Sequence, residues 1–235
     1  MVKKRHDHST VPVRRKLPGV DLTLVLGRTG GIACGKSLIC HFFRELGAAV
    51  LSADELAREA VRPGEEAYKE IVTHFGEEIL TAEGSIDRAR LAEKIFQSPA
   101  KRHLLNQITH PAIGRLADRR INELRKNPDI SLIIYEAPLL FEAKAEARVD
   151  LVLVVTTTPK QQLERLMRRD NLSREEALQR ISAQMPLAEK ISRADILVEN
   201  NGPPPDTQRL ISQIFAKLTA HKKKNPPTPG DLQHT

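Results

Sequence analysis

The segment Gly30-Gly31-Ile32-Ala33-Cys34-Gly35-Lys36-Ser37 has the spacing glycine, four residues, glycine, lysine, serine, and that spacing suits the binding of phosphate. Glycines let backbone N–H groups curl around phosphate oxygens, and a helix that opens at the last glycine adds positive potential at the same point. Lys36 is then placed to reach the β and γ phosphates of a nucleoside triphosphate, and the Ser37 hydroxyl to ligate Mg2+. A glycine-rich turn can also be purely structural, so the reading needs a strand before the loop and a helix after it. The apolar run Leu22 to Leu26 and a helical pattern from about Lys36 supply both. The motif implies nucleotide binding and leaves the second substrate open.

Other residues could complete such a site. If Ala49 to Ser52 is a strand, Asp54 lies just past its carboxyl end, where ligands bind in open parallel sheets, and its carboxylate could accept the proton of an acceptor hydroxyl. Asp54 is equally well the N-cap of a helix over ELAREAV. Glu136 ends the run LIIY and suits a water-mediated magnesium contact, against the alternative of an ordinary strand end. Arg165, Arg168 and Arg169 share one helix face, and Arg180, Lys190 and Arg193 follow. They could stabilise the charge of a migrating phosphoryl group, or form a solvated face paired with the interleaved Glu164, Asp170, Glu175, Glu176 and Glu189. His110, before Pro111, is either a base or phosphate ligand or a hydrogen-bonded structural residue.

These residues need a scaffold, and the pattern implies an α/β one. Apolar runs at Leu22 to Leu26, Ala49 to Leu51, Leu132 to Tyr135, Leu151 to Val155 and Ile196 to Val198 alternate with helical patterns, as in βαβ units with a parallel sheet. Thr158, Pro159 and Gln161 predict a capping box opening a helix to about Arg169, and Ser173 with Glu176 predicts another to about Met185. Gly47 is expected to close the helix that begins near Lys36. The stretch of about 63–128 is too long for a simple crossover and is punctuated by Gly76, Gly84, Pro99 and Pro111, so it is expected to contain a small helical substrate-binding lobe. Residues 165–193 are expected to form a lid, within a kinase domain of 21–218.

The chain has 235 residues and two cysteines, Cys34 and Cys40, so neither a disulfide framework nor a zinc site is suggested. The N-terminus lacks an apolar signal stretch, and no run approaches the roughly 20 apolar residues that span a bilayer. A cytoplasmic location without membrane contact is the expectation. The net charge of +7 sits in residues 1–16 and 219–235, which carry nine basic and two acidic residues, while the body carries 28 of each. Flexible basic tails, at 1–20 and 219–235, are expected rather than a nucleic-acid surface, and with 3% aromatic residues there is little on which to stack bases.

Taken in order, TGGIACGKS (Thr29 to Ser37), SADELAREAV (Ser52 to Val61), LLNQITHP (Leu104 to Pro111), EAPLLFE (Glu136 to Glu142), RLMRRDNLS (Arg165 to Ser173), RISAQMP and ADILVENNG make the chain resemble the dephospho-coenzyme A kinase family from about Leu24 to Leu218. The resemblance implies a three-layer fold of the P-loop class with a five-stranded parallel sheet, a helical substrate-binding insertion and a lid. It implies transfer of phosphate from MgATP to the ribose 3′-hydroxyl of dephospho-coenzyme A. By position, Gly31, Ile32, Ala33, Cys34, Gly35, Lys36, Ser37 and Leu38 cradle the ATP phosphates, Lys36 stabilises the migrating group and Asp54 activates the hydroxyl. Arg165 and Arg169 are similar to the lid arginines, the His110 segment lies by the acceptor and Asn200 near the adenine.

Several residues depart from the family pattern. Ala33-Cys34 stands for the common Gly-Ser, so position 33 is either right-handed or strained. Leu38 stands for Thr, Ser52 for a frequent Asp, and Arg28 for an apolar residue. Two other readings are a kinase of another small metabolite or nucleotide, and a nucleotide-binding regulator whose basic tails contact RNA or membrane. The expected partner is a small-molecule substrate, and the expected state a monomer or weak homo-oligomer.

Overall fold

The computed structural model describes residues 23–96 and 98–220. Five strands, β1 (Leu24–Gly30), β2 (Ala49–Ser52), β3 (Leu132–Glu136), β4 (Leu151–Thr156) and β5 (Ile196–Glu199), form one sheet in the order β2-β3-β1-β4-β5. β1 pairs in parallel with β3 and with β4, and β4 with β5. The expected α/β fold with a five-stranded parallel sheet between helical layers is the one observed. The central runs LIIY and LVLVV are buried throughout, as Val, Ile and Leu segments covered on both faces by helices should be.

β1 differs from expectation at both ends. β1 starts at Leu24 rather than Leu22 and runs on through Arg28 and Thr29 to Gly30, all of it buried. Two polar residues are tolerated there because each meets a partner on β3 or just beyond it: Arg28 is the register partner of Glu136, and the Thr29 hydroxyl donates to Pro138 O at 2.9 Å.

The chain divides into two compact units. The first holds the described residues up to Val50 and from Leu124 onward. Its core joins the strands to the apolar faces of α1 (Lys36–Glu45) and the C-terminal helix α9 (Pro204–Thr219), through Ile39 and Phe43 on one and Ile211, Ile214 and Leu218 on the other. Gly47, at φ 91°, takes the left-handed turn after α1. α9 reaches Thr219, the first residue expected in the C-terminal tail; the rest of both expected tails, 1–20 and 219–235, lies outside the described residues apart from Ala220.

The second unit, Leu51–Glu123, begins earlier than residue 63 and takes in α2 (Ala53–Ala60) as well as α3 (Glu66–Phe75), α4 (Arg88–Phe96) and most of α5 (Pro99–Arg125). Its own core is small and built from Ala67, Ile71, Phe75, Ile79, Leu91 and Ile108. Pro99 opens α5 at its first position, where a missing N–H costs nothing. Pro111 does not end that helix but lies inside it.

Back in the first unit, α6 (Pro159–Asp170), α7 (Arg174–Ser182) and α8 (Leu187–Ser192) form the segment expected as a lid. The capping box before α7 is complete, with Ser173 and Glu176 exchanging side-chain to backbone hydrogen bonds. Before α6 only half of the expected box forms: Thr158 accepts from Gln161 N, but the Gln161 side chain goes to Thr157 and to Asn201 O. α7 ends at Ser182 rather than near Met185, and α8 starts after Pro186. No helix among the described residues is long and apolar enough to cross a membrane.

Candidate phosphate-binding site

The glycine-rich loop leaves the carboxyl end of β1 and enters α1 directly. Gly35 is the N-cap of α1 in the left-handed region (φ 87°, ψ 25°), and no side chain caps the helix. The first amides of α1 therefore keep their donors unspent, which is the anion-binding arrangement of a helix start. A Cβ at Gly35 would stand 2.0 Å from Asn200 Nδ2, so position 35 requires glycine for space as well as for φ. Ala33 is also left-handed, at φ 59°. Of the two conformations open to it from sequence, the strained one is adopted, at a cost of about 1–2 kcal/mol.

Side chains from other elements hold this loop from behind. Asn200, just after β5 and buried, donates from Nδ2 to Cys34 O at 3.0 Å and accepts from the Thr207 hydroxyl at 2.9 Å. Gln162 Nε2 donates to Ile32 O at 3.0 Å, and Ile32 N donates to Gln184 Oε1 at 2.9 Å. Lys36 Nζ rests on Gly31 O at 2.7 Å. Ile32 thus enters the loop with its own amide engaged, Cys34 N donates to Gly31 O at 3.3 Å, and the amides of Ala33 and of Gly35 onward are left to do the cradling.

The electrostatics are cationic. Burial, followed by the charge of Arg28, pushes the Lys36 ammonium down to about 8. Arg28 is fully buried and forms an ion pair with Glu136, whose side chain is 22% exposed. Its Nε and Nη1 have no hydrogen-bond acceptor among the described residues. Lys190, also fully buried, pairs with Glu142 at 2.7 Å and donates to Pro138 O at 3.3 Å. Both cysteines are buried; burial raises the Cys34 thiol and pushes Cys40 up to about 11.

The first unit brings together the loop residues Gly31 to Leu38, Asn200 and the arginines of α6. The charges of Arg165 and Arg169 reach the loop, bearing on Cys34 and Lys36 respectively. Arg169 is held by Asp170 through two hydrogen bonds of 2.7 and 3.0 Å, and Arg180 meets the same carboxylate at 3.0 Å. Arg193 pairs with Glu146 and stacks over Phe141. The paired-face reading of the cluster thus describes Arg169 and Arg180, which share the interleaved Asp170; Lys190 is buried on Glu142 and Arg193 pairs with Glu146, neither of them an interleaved acid, and Arg165 has no carboxylate partner among the described residues.

Asp54 and His110 belong to the second unit. The N-cap of α2 is Ser52, whose hydroxyl accepts from Glu55 N, and not Asp54. Asp54 sits in the first turn, exposed, with no partner among the described residues. His110 is exposed on α5. The same unit holds a cavity of about 390 Å³ with apolar walls, including Val61, Ile86 and Ile95, and with Arg58, Arg62 and Arg88 among its lining. Sequence reasoning did not single out Gln162, Gln184, Thr207 or Glu142, because isolated polar residues on helices and in connections read as surface residues; for Gln184 the RISAQMP motif was the available signal.

Residues 24–206 match the sequence profile of the CoaE dephospho-CoA kinase family. A dephospho-CoA kinase of Syntrophotalea carbinolica is 47% identical over 200 residues, covering 85% of this chain and 94% of the relative. One of Geobacter sulfurreducens is 48% identical over 193 residues, covering 82% and 98%. The solved structure of a dephospho-CoA kinase from Campylobacter jejuni superposes with a TM-score of 0.66 at 28% identity, covering 83% of this chain and 97% of that one. With the family profile matched over residues 24–206 and relatives matched almost end to end, this chain belongs to the dephospho-CoA kinase family.

Proposed function

We propose that the chain transfers the γ-phosphate of ATP to the ribose 3′-hydroxyl of dephospho-coenzyme A, the last step of coenzyme A synthesis. The observation that carries this reading is the uncapped start of α1 behind a left-handed Gly35, in a chain whose relatives are kinases of this name. The amides of Ala33 and of Gly35 to Leu38 bind the phosphates, Lys36 follows the migrating group, and Arg165 stabilises its charge, with Arg169 joining once it leaves Asp170. Asp54, free of the capping duty, is the base for the acceptor hydroxyl. Asn200 serves the nucleotide side by fixing the Cys34 carbonyl, and His110 is assigned to the acceptor.

Ser37 and Glu136 fit magnesium. An exposed hydroxyl in the first turn of α1 and a partly exposed carboxylate at the end of β3 suit an ion that keeps water and takes its other ligands from phosphate. When bound, magnesium neutralises charge on the phosphates. The helical unit fits the acceptor: an apolar cavity with arginines in its lining matches a molecule with a long pantetheine arm and a diphosphate.

The test is ADP formation by the purified protein with MgATP, with and without dephospho-coenzyme A, beside Lys36→Ala and Asp54→Asn. Turnover that requires the acceptor and collapses in both variants is expected. Turnover indifferent to the acceptor removes the substrate assignment.

A further inference from the structure

Both backbone groups of Ile32 are held by side chains of the α6–α8 segment. Gln162, in the first turn of α6 and only 6% exposed, donates to the carbonyl, and Gln184, between α7 and α8, accepts from the N–H. The apolar side of the same junction is closed, with Ile32 and Ala33 packed against Leu163, Leu166 and Ala177. Gln162 also approaches the loop at Gly31, where an added Cβ would lie 2.7 Å from its Nε2.

The two bonds fix two successive peptide planes, the one before Ile32 and the one before Ala33. The second plane sets the φ of Ala33, which is left-handed. Glycine holds such a conformation without help; alanine tends to relax toward right-handed φ. We propose that Gln162 and Gln184 are positioning residues that clamp the Ile32 peptides, hold Ala33 in the left-handed state that the phosphate loop requires, and so tie nucleotide affinity to the seating of the α7–α8 connection. This rests on reading the loop as a nucleotide phosphate site. The two arms differ in character. Gln162 sits in a helix turn anchored by Thr158 and by the bonds from Gln161 to Thr157 and Asn201 O, whereas Gln184 lies half-buried in a connection and is the arm that can let go.

The experiment uses the full chain and two readouts, backbone amide exchange of Ile32 in the nucleotide-free protein and ADP affinity. Losing one hydrogen bond of ordinary net strength corresponds to about a three- to tenfold change. Gln184→Ala is expected to speed Ile32 exchange and weaken ADP by that factor, while Gln184→Glu, which keeps the acceptor oxygen, keeps exchange slow. Adding Ala33→Gly to Gln184→Ala is expected to restore most of the ADP affinity, a rescue that a purely packing role would not give. Unchanged Ile32 exchange in Gln184→Ala, or an equal loss of ADP affinity with and without Ala33→Gly, overturns the clamp. If the unmodified protein fails to bind ADP, the nucleotide reading falls, and the exchange rates still decide whether Gln184 holds Ile32.

Discussion

Arg28 on β1 and Glu136 on β3 face each other in register and form an ion pair at the carboxyl end of the sheet, with the arginine fully buried and the glutamate partly open to solvent. The pair is asymmetric. Removing the carboxylate strands a buried guanidinium that already has donors without acceptors, and uncompensated buried charge costs about 3 kcal/mol or more. Removing the arginine leaves a carboxylate that water can reach. Glu136→Gln is therefore expected to lose about 3 kcal/mol in urea unfolding and Arg28→Leu about 1 kcal/mol or less. Equal losses would refute the asymmetry.

Ala33 is the second point of strain. Its left-handed φ of 59° costs about 1–2 kcal/mol for a residue with a Cβ, whereas glycine loses about 0.5–1 kcal/mol more entropy on folding. Ala33→Gly is expected to stabilise the fold by roughly 0.5–1 kcal/mol, the balance of those two terms. A destabilised variant in the same unfolding assay would mean that the methyl's packing against the α6–α7 cluster outweighs the strain.

These two positions mark where sequence reasoning reached its limit. Strands β2 to β5 were legible to within a residue because uninterrupted Val, Ile and Leu runs have one stable place in a parallel sheet. β1 was cut short at its end because an arginine inside a strand is intelligible only once its partner on β3 is known. The phosphate loop was legible because its chemistry is carried by backbone and glycine spacing. The glutamines behind it were not, since an amide on a helix, as Gln162 is, or in a connection, as Gln184 is, has the same pattern whether it faces water or a loop peptide. Ser52 took the cap of α2 rather than Asp54 because it is the residue left in extended conformation at the strand end, φ −90° and ψ 120°.

The cysteines give a pH prediction. Burial disfavours the thiolate, so Cys40 titrates at about 11 in the fold against 9.0 when exposed. The folded state retains its proton while the unfolded chain loses its own. The resulting stability is fully present below about pH 9 and is lost as pH rises through about 11. The stability difference between the unmodified protein and Cys40→Ala is accordingly expected to shrink between pH 8 and pH 10.5. At pH 8, a disulfide reagent should label neither thiol in the native protein and both in denaturant; rapid native labelling would contradict the burial.

The cavity of the helical unit makes the acceptor assignment testable apart from the phosphate loop. Its apolar walls alone would accept many ligands, but Arg58, Arg62 and Arg88 are exposed cations beside those walls, and a guanidinium facing a diphosphate contributes about 1.5 kcal/mol or more, close to tenfold in affinity. Arg62→Ala and Arg88→Ala are each expected to raise the KM for dephospho-coenzyme A by about tenfold while leaving the KM for ATP unchanged. Filling the cavity with Ala57→Leu should act in the same direction, through the apolar arm rather than the charge. If all three variants keep the acceptor KM of the unmodified protein, the acceptor binds elsewhere and the cavity has no part in recognition. If KM for ATP rises in step, the arginines serve the nucleotide, and the division of labour between the two compact units is the reverse of the one argued.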